Sequence, residues 1–465
     1  MLAIPGVARA AAYDVEARTE AQAYTIAAWS PDSGRALARR RLVESLDLAG
    51  FEIVPGEDAG LSLRIRFDAD FAVNDRELAG LDGAWRDRLQ ILGAALHWNG
   101  IGGGRLDLEA GRITASDPMG FWRLDGGRAT VRPAPWLALT AFGGLRVTET
   151  SWLGSPAFAP DGTRASDRRR IAAGVPLFPC PSEPSRLCAD PTLDDPAPTF
   201  GARLALVRLP GGSGGAEVEY RRTTRAGSVV EERVGAGARL RAGAWGLDAG
   251  GEYDLYVQRL SALRAGLRLA ARPWLALSLE GLHSHPTFSA DSIWNLFDTA
   301  PVREARLRAD LSPAGWPARL WVAAGTRWYG ATGYGRAAFG DRGGLEPSGA
   351  AGASATLWGT EVVADASLQG GVQGTQAWLG AVVRRTFRSW IGVEGRATLA
   401  RMEDRVAPKN GGTFPALALV LSGRLERSAR ISLLLEDSAP RWARNDLRVF
   451  ALAALGADWD TRMGR

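Results

Sequence analysis

The sequence predicts an all-β chain, an antiparallel up-and-down β-barrel of about 22 strands, within a range of roughly 18 to 24. Three observations predict it. Apolar and polar residues alternate with period two in one segment after another, which marks strands with one apolar and one polar face. No long segment carries the 3.6-residue period of an amphipathic helix. The turns between segments alternate in size along much of the chain.

The repeating unit is clearest from Arg264 to His283, RAGLRLAARPWLALSLEGLH. Leu263, Ala265, Leu267 and Leu269 alternate with Arg264, Gly266, Arg268 and Ala270. The chain turns at Ala271-Arg272-Pro273, with Trp274 at the hinge. Leu275, Leu277 and Leu279 then alternate with Ala276, Ser278 and Glu280.

Composition narrows the function classes. The 465 residues are 46% hydrophobic and 23% charged, and Lys409 is the only lysine. A net charge of +5 over this length is too small to imply a nucleic-acid partner. No run of about 18 apolar residues offers a transmembrane helix, a criterion that does not apply to barrels. The first residues, MLAIPGVARAAA, read as a residual secretory signal over 1–12, with Ala8-Arg9-Ala10 fitting the small-x-small cleavage pattern. Cys180 and Cys188 lie close together in a Pro-rich polar loop. They fit a loop-closing disulfide of an oxidising compartment, with two free thiols as the alternative.

In chain order, Val15, Ala17, Thr19, Ala21 and Ala23 oppose Asp14, Glu16, Arg18, Glu20 and Gln22. After the turns at 29–34 and 54–60, Leu61, Leu63, Ile65, Phe67, Ala69 and Phe71 oppose Ser62, Arg64, Arg66, Asp68 and Asp70. A polar loop, ILGAALHW, a glycine turn at Gly100 to Gly104 and RLDLEAGRI follow, and DPMGF (117–121) turns into a strand ending at RPAP. WLALTAFGGLRVTE follows at once, so that an Arg-Pro pair again stands just before a hinge Trp, as in the unit above. A long irregular insertion at about 149–198 reads as an extracellular loop, and strands then resume to the closing segment LRVFALAALGADW. Short turns fall at 132–135, 271–273, 312–315, 388–389 and 428. Long ones fall at 149–198, 286–301, 330–346 and 402–414. That parity is expected of one barrel over 13–460 with tight turns at one rim and large loops at the other. A β-propeller would repeat four-stranded blades every 40–45 residues or so.

Width decides which face points outward. A barrel of about 22 strands encloses too wide a space for Ala, Leu and Val to fill. The apolar face is therefore expected to meet lipid and the charged face a hydrated lumen, with closure satisfying every backbone amide. The expected pore lining is Arg18, Arg64, Arg66, Asp68, Asp70, Arg264, Arg268, Glu280, Arg306, Arg308, Asp310, Glu394, Arg396 and Arg424. Trp136, Trp274, Trp316 and Trp390 each follow a short turn. With Trp459 they form the expected aromatic girdle of one membrane interface.

With this pattern the chain resembles the porin-like outer-membrane β-barrel proteins of Gram-negative bacteria over nearly its whole length after residue 12. The resemblance is one of pattern. It implies a bacterial outer-membrane location, lipid as surroundings, and a channel for small polar solutes. No enzyme is expected, because the three histidines, His97, His283 and His285, offer no Ser–His–Asp arrangement. No metal and no cofactor is expected either: His283-x-His285 lies at a strand end, and Cys-x-x-Cys-His is absent. The alternative function is a sheath or scaffold for a periplasmic or lumen-inserted protein partner. A polysaccharide exporter and the porin component of a multihaem-cytochrome conduit are examples. In either case something must narrow so wide a lumen, and the loops at 149–198 and 286–301 are the candidates.

Overall fold

A computed structural model describes residues 12–28, 35–54, 56–70, 87–147, 178–180, 183–188, 197–208, 213–225, 227–287, 301–330, 344–371, 374–388, 390–404, 411–425, 429–438 and 446–460. The alternating segments become strands. They are β1 (Ala12–Ala28), β2 (Arg35–Phe51), β3 (Asp58–Asp70), β4 (Asp87–Gly100), β5 (Leu106–Asp117), β6 (Gly120–Ala134), β7 (Leu137–Arg146), β8 (Phe178–Cys180) and β9 (Glu183–Cys188). The middle third holds β10 (Pro198–Leu206), β11 (Ser213–Arg225), β12 (Ser228–Ala242), β13 (Trp245–Asp254), β14 (Arg259–Arg272), β15 (Leu275–Ser284), β16 (Val302–Leu311) and β17 (Ala318–Tyr329). The last third holds β18 (Leu345–Leu357), β19 (Thr360–Gly370), β20 (Gly374–Phe387), β21 (Ile391–Asp404), β22 (Gly412–Leu425), β23 (Ala429–Ser438) and β24 (Asp446–Asp460).

All but β8 and β9 join in one 22-stranded antiparallel sheet. Each strand pairs with the next in sequence, and β7 pairs with β10 across the insertion. The sheet closes where β1 meets β24, from Asp14 opposite Asp460 to Ala23 opposite Ala451. Closure gives both terminal strands a second partner. The insertion expected to be irregular departs from that expectation, because β8 and β9 pair there as a small separate hairpin. The proposed signal over 1–12 lies outside the described residues except for Ala12.

The turn parity holds at one rim throughout. Its connections are 52–57, 101–105, 135–136, 207–212, 243–244, 273–274, 312–317, 358–359, 388–390 and 426–428. Trp358 and Gly359 have φ of 49° and 74°, the two positive values a two-residue primed hairpin turn needs. Gly102, Gly103 and Gly104 all have positive φ in the predicted glycine turn. The other rim carries the long loops, but also tight turns at 118–119, 226–227, 255–258 and 371–373. Those four were not expected at that rim.

Ladder partners share a face, so the register sorts the side chains. Leu267, Leu279 and Leu307 are consecutive partners on one face and remain 39%, 51% and 54% exposed. Leu204, Val218, Leu379, Leu399 and Leu417 are exposed on the same face elsewhere around the sheet. Arg264, Arg268, Glu280, Arg306, Arg308 and Asp310 occupy the opposite face through β14–β16. Followed round through β24 and across the seam, that face also holds the positions of Glu394, Arg396, Arg424, Arg18, Arg64, Arg66, Asp68 and Asp70. It is called the polar face below.

Ion pairs knit the polar face together. Arg64 pairs with Asp47, Arg308 with Asp310 at 2.6 Å, Arg327 with Glu304 at 2.7 Å, and Arg384 with Glu394 at 2.6 Å. Trp136, Trp274, Trp316 and Trp390 are exposed in connections of the short-turn rim, and Trp245 and Trp358 join them there. Trp459 occupies the same rim by register, opposite Val15.

Candidate functional site

The hairpin β5–β6 does not stay in the wall. Its ladder runs to Asp117 opposite Gly120, but β5 pairs with β4 only from Leu108 to Arg112. On its other side β6 pairs with β7 only from Leu124 onward. Residues 113–122 therefore part from both neighbours, β4 running on to Asp87 without them, and this tip leans over the polar face.

Glycine makes the bend possible. Gly111, Gly126 and Gly144 are consecutive ladder partners across β5, β6 and β7. Gly111 has a φ of 126°, and a Cβ there would stand 2.1 Å from the Ala94 carbonyl oxygen. A Cβ on Gly126 or Gly144 would fall 2.6 Å from the Cα of the other. Any side chain at these three positions collides with backbone, so the row acts as a crease. Where β5 leaves β4, the Ile91 carbonyl loses its strand partner. Arg112 replaces it, donating from Nη1 to Ile91 O at 2.8 Å while its Nη2 reaches Asp125 at 2.6 Å. A backbone acceptor freed by the departure is thus satisfied by a side chain.

The tip lands on β7, β11 and β12. Trp122 packs against Phe142 of β7, ring centroids 4.6 Å apart, and Ile113 and Leu124 are fully buried. Met119 and Pro118 lie over Gly235 and Gly237 of β12, where an added Cβ at Gly235 would meet Met119 Cγ at 2.4 Å. Arg221 of β11 reaches Asp117 at 3.3 Å, and its guanidinium lies 5.7 Å from the Trp122 ring. Asp117 also accepts from the Met119 amide at 2.7 Å and from the Trp122 indole.

The anchor continues as a buried charge network. Glu231 sits among Arg146 at 2.5 Å, Arg233 at 3.3 Å and Arg221 at 3.7 Å. Arg233 goes on to Glu252 at 2.8 Å and donates to the Thr287 carbonyl at 3.3 Å. Asp254, itself buried, caps the tight turn at 255–258 by accepting from the Val257 amide. Buried charges survive when each is matched and hydrogen-bonded. This network fixes the hairpin against the wall and ties it to the start of the loop at 285–301.

The residues expected to line a pore are spread around the polar face and do not converge on one centre. The histidines do not meet either. His97 lies over Gly60 on the polar face, His283 falls on the Leu263 face, and His285 contacts Arg259 at 3.0 Å. Among the described residues no group of three His, Cys, Asp or Glu side chains is placed to hold a metal ion. The loops expected to narrow the lumen lie outside the described residues, apart from β8, β9 and a few flanking positions. The crease and the tip were missed because DPMGF reads simply as a turn. The signal available was the alignment of glycines in EAGRI, LDGGRA and FGGLR.

No family model and no curated protein sequence matches the chain. Among solved structures it is similar to Pseudomonas aeruginosa OccK5 (OpdH), with 9% identity over 97% of this chain and 98% of that one and a TM-score of 0.41. It is similar to a BenF-like porin from Pseudomonas fluorescens Pf-5, with 8% identity over 98% and 100% of the two chains and a TM-score of 0.44. It is also similar to the P pilus usher (PapC) translocation pore, with 10% identity over 96% and 99% and a TM-score of 0.45. Neighbours as distant as this porin and this usher attach neither a substrate nor a partner to the chain.

Proposed function

We propose that the chain is a bacterial outer-membrane channel that passes small polar solutes, with the β5–β6 tip narrowing its lumen. The observation that carries this reading is the closed 22-stranded sheet with large apolar side chains exposed on one face and ion pairs such as Arg308–Asp310 and Arg327–Glu304 on the other. A continuous apolar belt of this extent is foreign to a water-facing surface. In lipid it is the favourable arrangement.

Curvature supports placing the polar face inside. The Arg146–Glu231 pair joins β7 to β12 over the intervening β10 and β11. Side chains reach that far only across the hollow of a curved sheet. In this reading Arg18, Arg64, Arg66, Asp68, Asp70, Arg264, Arg268, Glu280, Arg306, Arg308, Asp310, Glu394, Arg396 and Arg424 line the lumen. Trp136, Trp274, Trp316, Trp390 and Trp459 form the girdle at the periplasmic interface. Residues 1–12 serve as the remainder of an export signal, and a Cys180–Cys188 disulfide closes the small β8–β9 hairpin. Alkylation followed by intact-mass measurement tests the bridge: a non-reduced chain that takes up two labels removes it.

The deciding experiment is single-channel recording on the purified full chain in a planar bilayer. A stable conductance is expected, with at most weak anion selectivity in a salt gradient, because charges of both signs balance closely along the wall. Strong cation selectivity contradicts the predicted lining. A folded barrel that conducts nothing overturns the channel and returns the sheath alternative.

A further inference from the structure

Farther round the sheet from the hairpin anchor, the polar face of β16–β20 contains a bay with an unusual set of walls. Its floor is Ala323, Gly325 and Ala350, residues too small to cover the sheet. Above this floor lies a cavity of about 180 Å³, bordered by Arg306, Ser348, Ser367 and Gln369. At its upper edge the charges are already matched. Glu304 holds Arg327 at 2.7 Å, and Glu346 accepts from Gln369 at 3.1 Å.

Just beyond Ser367 stands Trp378, its direct ladder partner. The indole lies over Gly380, where an added Cβ would come within 2.3 Å of the ring, and Trp378 stays 37% exposed. The next row down places Trp321, Gly352, Asp365 and Gly380 side by side across β17–β20. Trp321 lies over Gly352 and is covered by the Arg308 guanidinium, 4.6 Å from its ring. Among the described residues no cation covers Trp378, so its indole is an open aromatic surface beside the cavity, on the side of the short-turn rim. Asp365, between the two indoles, has no hydrogen bond or ion pair among the described residues.

We infer that this bay is a binding subsite for a neutral sugar ring on the solute path. The inference rests on the channel reading and names the solute class. An open indole binds the apolar C–H face of a pyranose, and hydroxyls, amides and carboxylates beside it bind the ring hydroxyls. Ser348, Ser367, Gln369 and Asp365 supply those groups. A purely apolar ligand leaves them without partners at a cost for each. An anion fits no better, because Glu304 and Glu346 cancel Arg306 and Arg327 and Asp365 adds a further negative charge. The strip from cavity to Trp378 runs toward the short-turn rim, so successive rings of a linear glycan can occupy successive positions along it.

The test uses the full chain in a planar bilayer. Neutral glucose hexasaccharides, α- and β-linked, are added to one side, with a polyethylene glycol of equal hydrodynamic size as the steric control. At least one hexasaccharide is expected to interrupt the current far longer than the polymer. Trp378→Ala is expected to shorten those interruptions about tenfold relative to the polymer control, and Trp378→Phe to retain most of them. Equal interruptions by sugar and polymer overturn the subsite, as does indifference to Trp378→Ala. Longer interruptions by a hexauronate than by its neutral counterpart also overturn it, in favour of an anion site. A barrel that carries no current but binds the hexasaccharide in detergent by calorimetry defeats the channel reading while sustaining the subsite.

Discussion

Arg221 holds the hairpin tip where it is. Its side chain is 8% exposed and that of its partner Asp117 only 1%, and Glu231 flanks it on the other side. Removing one member of a buried ion pair strands the other, at a cost of about 3–5 kcal/mol. In Arg221→Met, Asp117 loses its ion-pair partner, while Glu231 keeps Arg146 and Arg233. The expected result is a tip that leaves the wall, read as a change in single-channel conductance and added current noise. An unchanged record means that the tip does not shape the lumen. None of this was legible in the sequence. Arg221 and Asp117 stand more than a hundred positions apart, and each obeys the same local alternation as dozens of other charges. Gly111, Gly126 and Gly144 were visible but ambiguous. A glycine inside an alternating segment only weakens a strand, and its meaning emerges when three of them become ladder partners.

Single strands were far more readable. Period two is a local property, so β14 and β15 could be drawn from their own residues, down to the Arg272-Pro273-Trp274 hinge between them. The register agrees: Leu267 opposes Leu279 and Leu307 on the exposed apolar face, and Gly266 opposes Glu280 on the polar face. This gives a direct test. Leu267→Arg near the middle of the strand is expected to cost about 2–4 kcal/mol in the bilayer and to block assembly, seen as loss of heat-modifiable migration on gels. Gly266→Arg, one residue away and between Asp248 and Glu280, is expected to assemble normally, since an added Cβ there meets only ordinary contact. If both behave alike, the two faces are not what they are taken to be. The turns were half legible. Long loops announce themselves by composition, but nothing in the residues alone says on which rim the tight turns at 226–227 and 255–258 fall.

At the scale of the molecule, the strand number followed from counting hinges, while the seam did not. Nothing in the residues of β1 names β24 as its partner, yet the seam between them determines how the barrel can form. Every other strand pairing in the barrel sheet joins strands that follow one another, with β7 and β10 the nearest to an exception. Those contacts are short in sequence and can zip in order as the chain lengthens. The pairing of Asp14 with Asp460 spans almost the entire chain, and loops of that length close slowly. Until it forms, β1 and β24 present two unpaired edges that can capture strands of another molecule. The lifetime of that nearly complete, still-open sheet sets the choice between insertion and aggregation, so the assembly of this barrel is governed by the time its ends need to find each other.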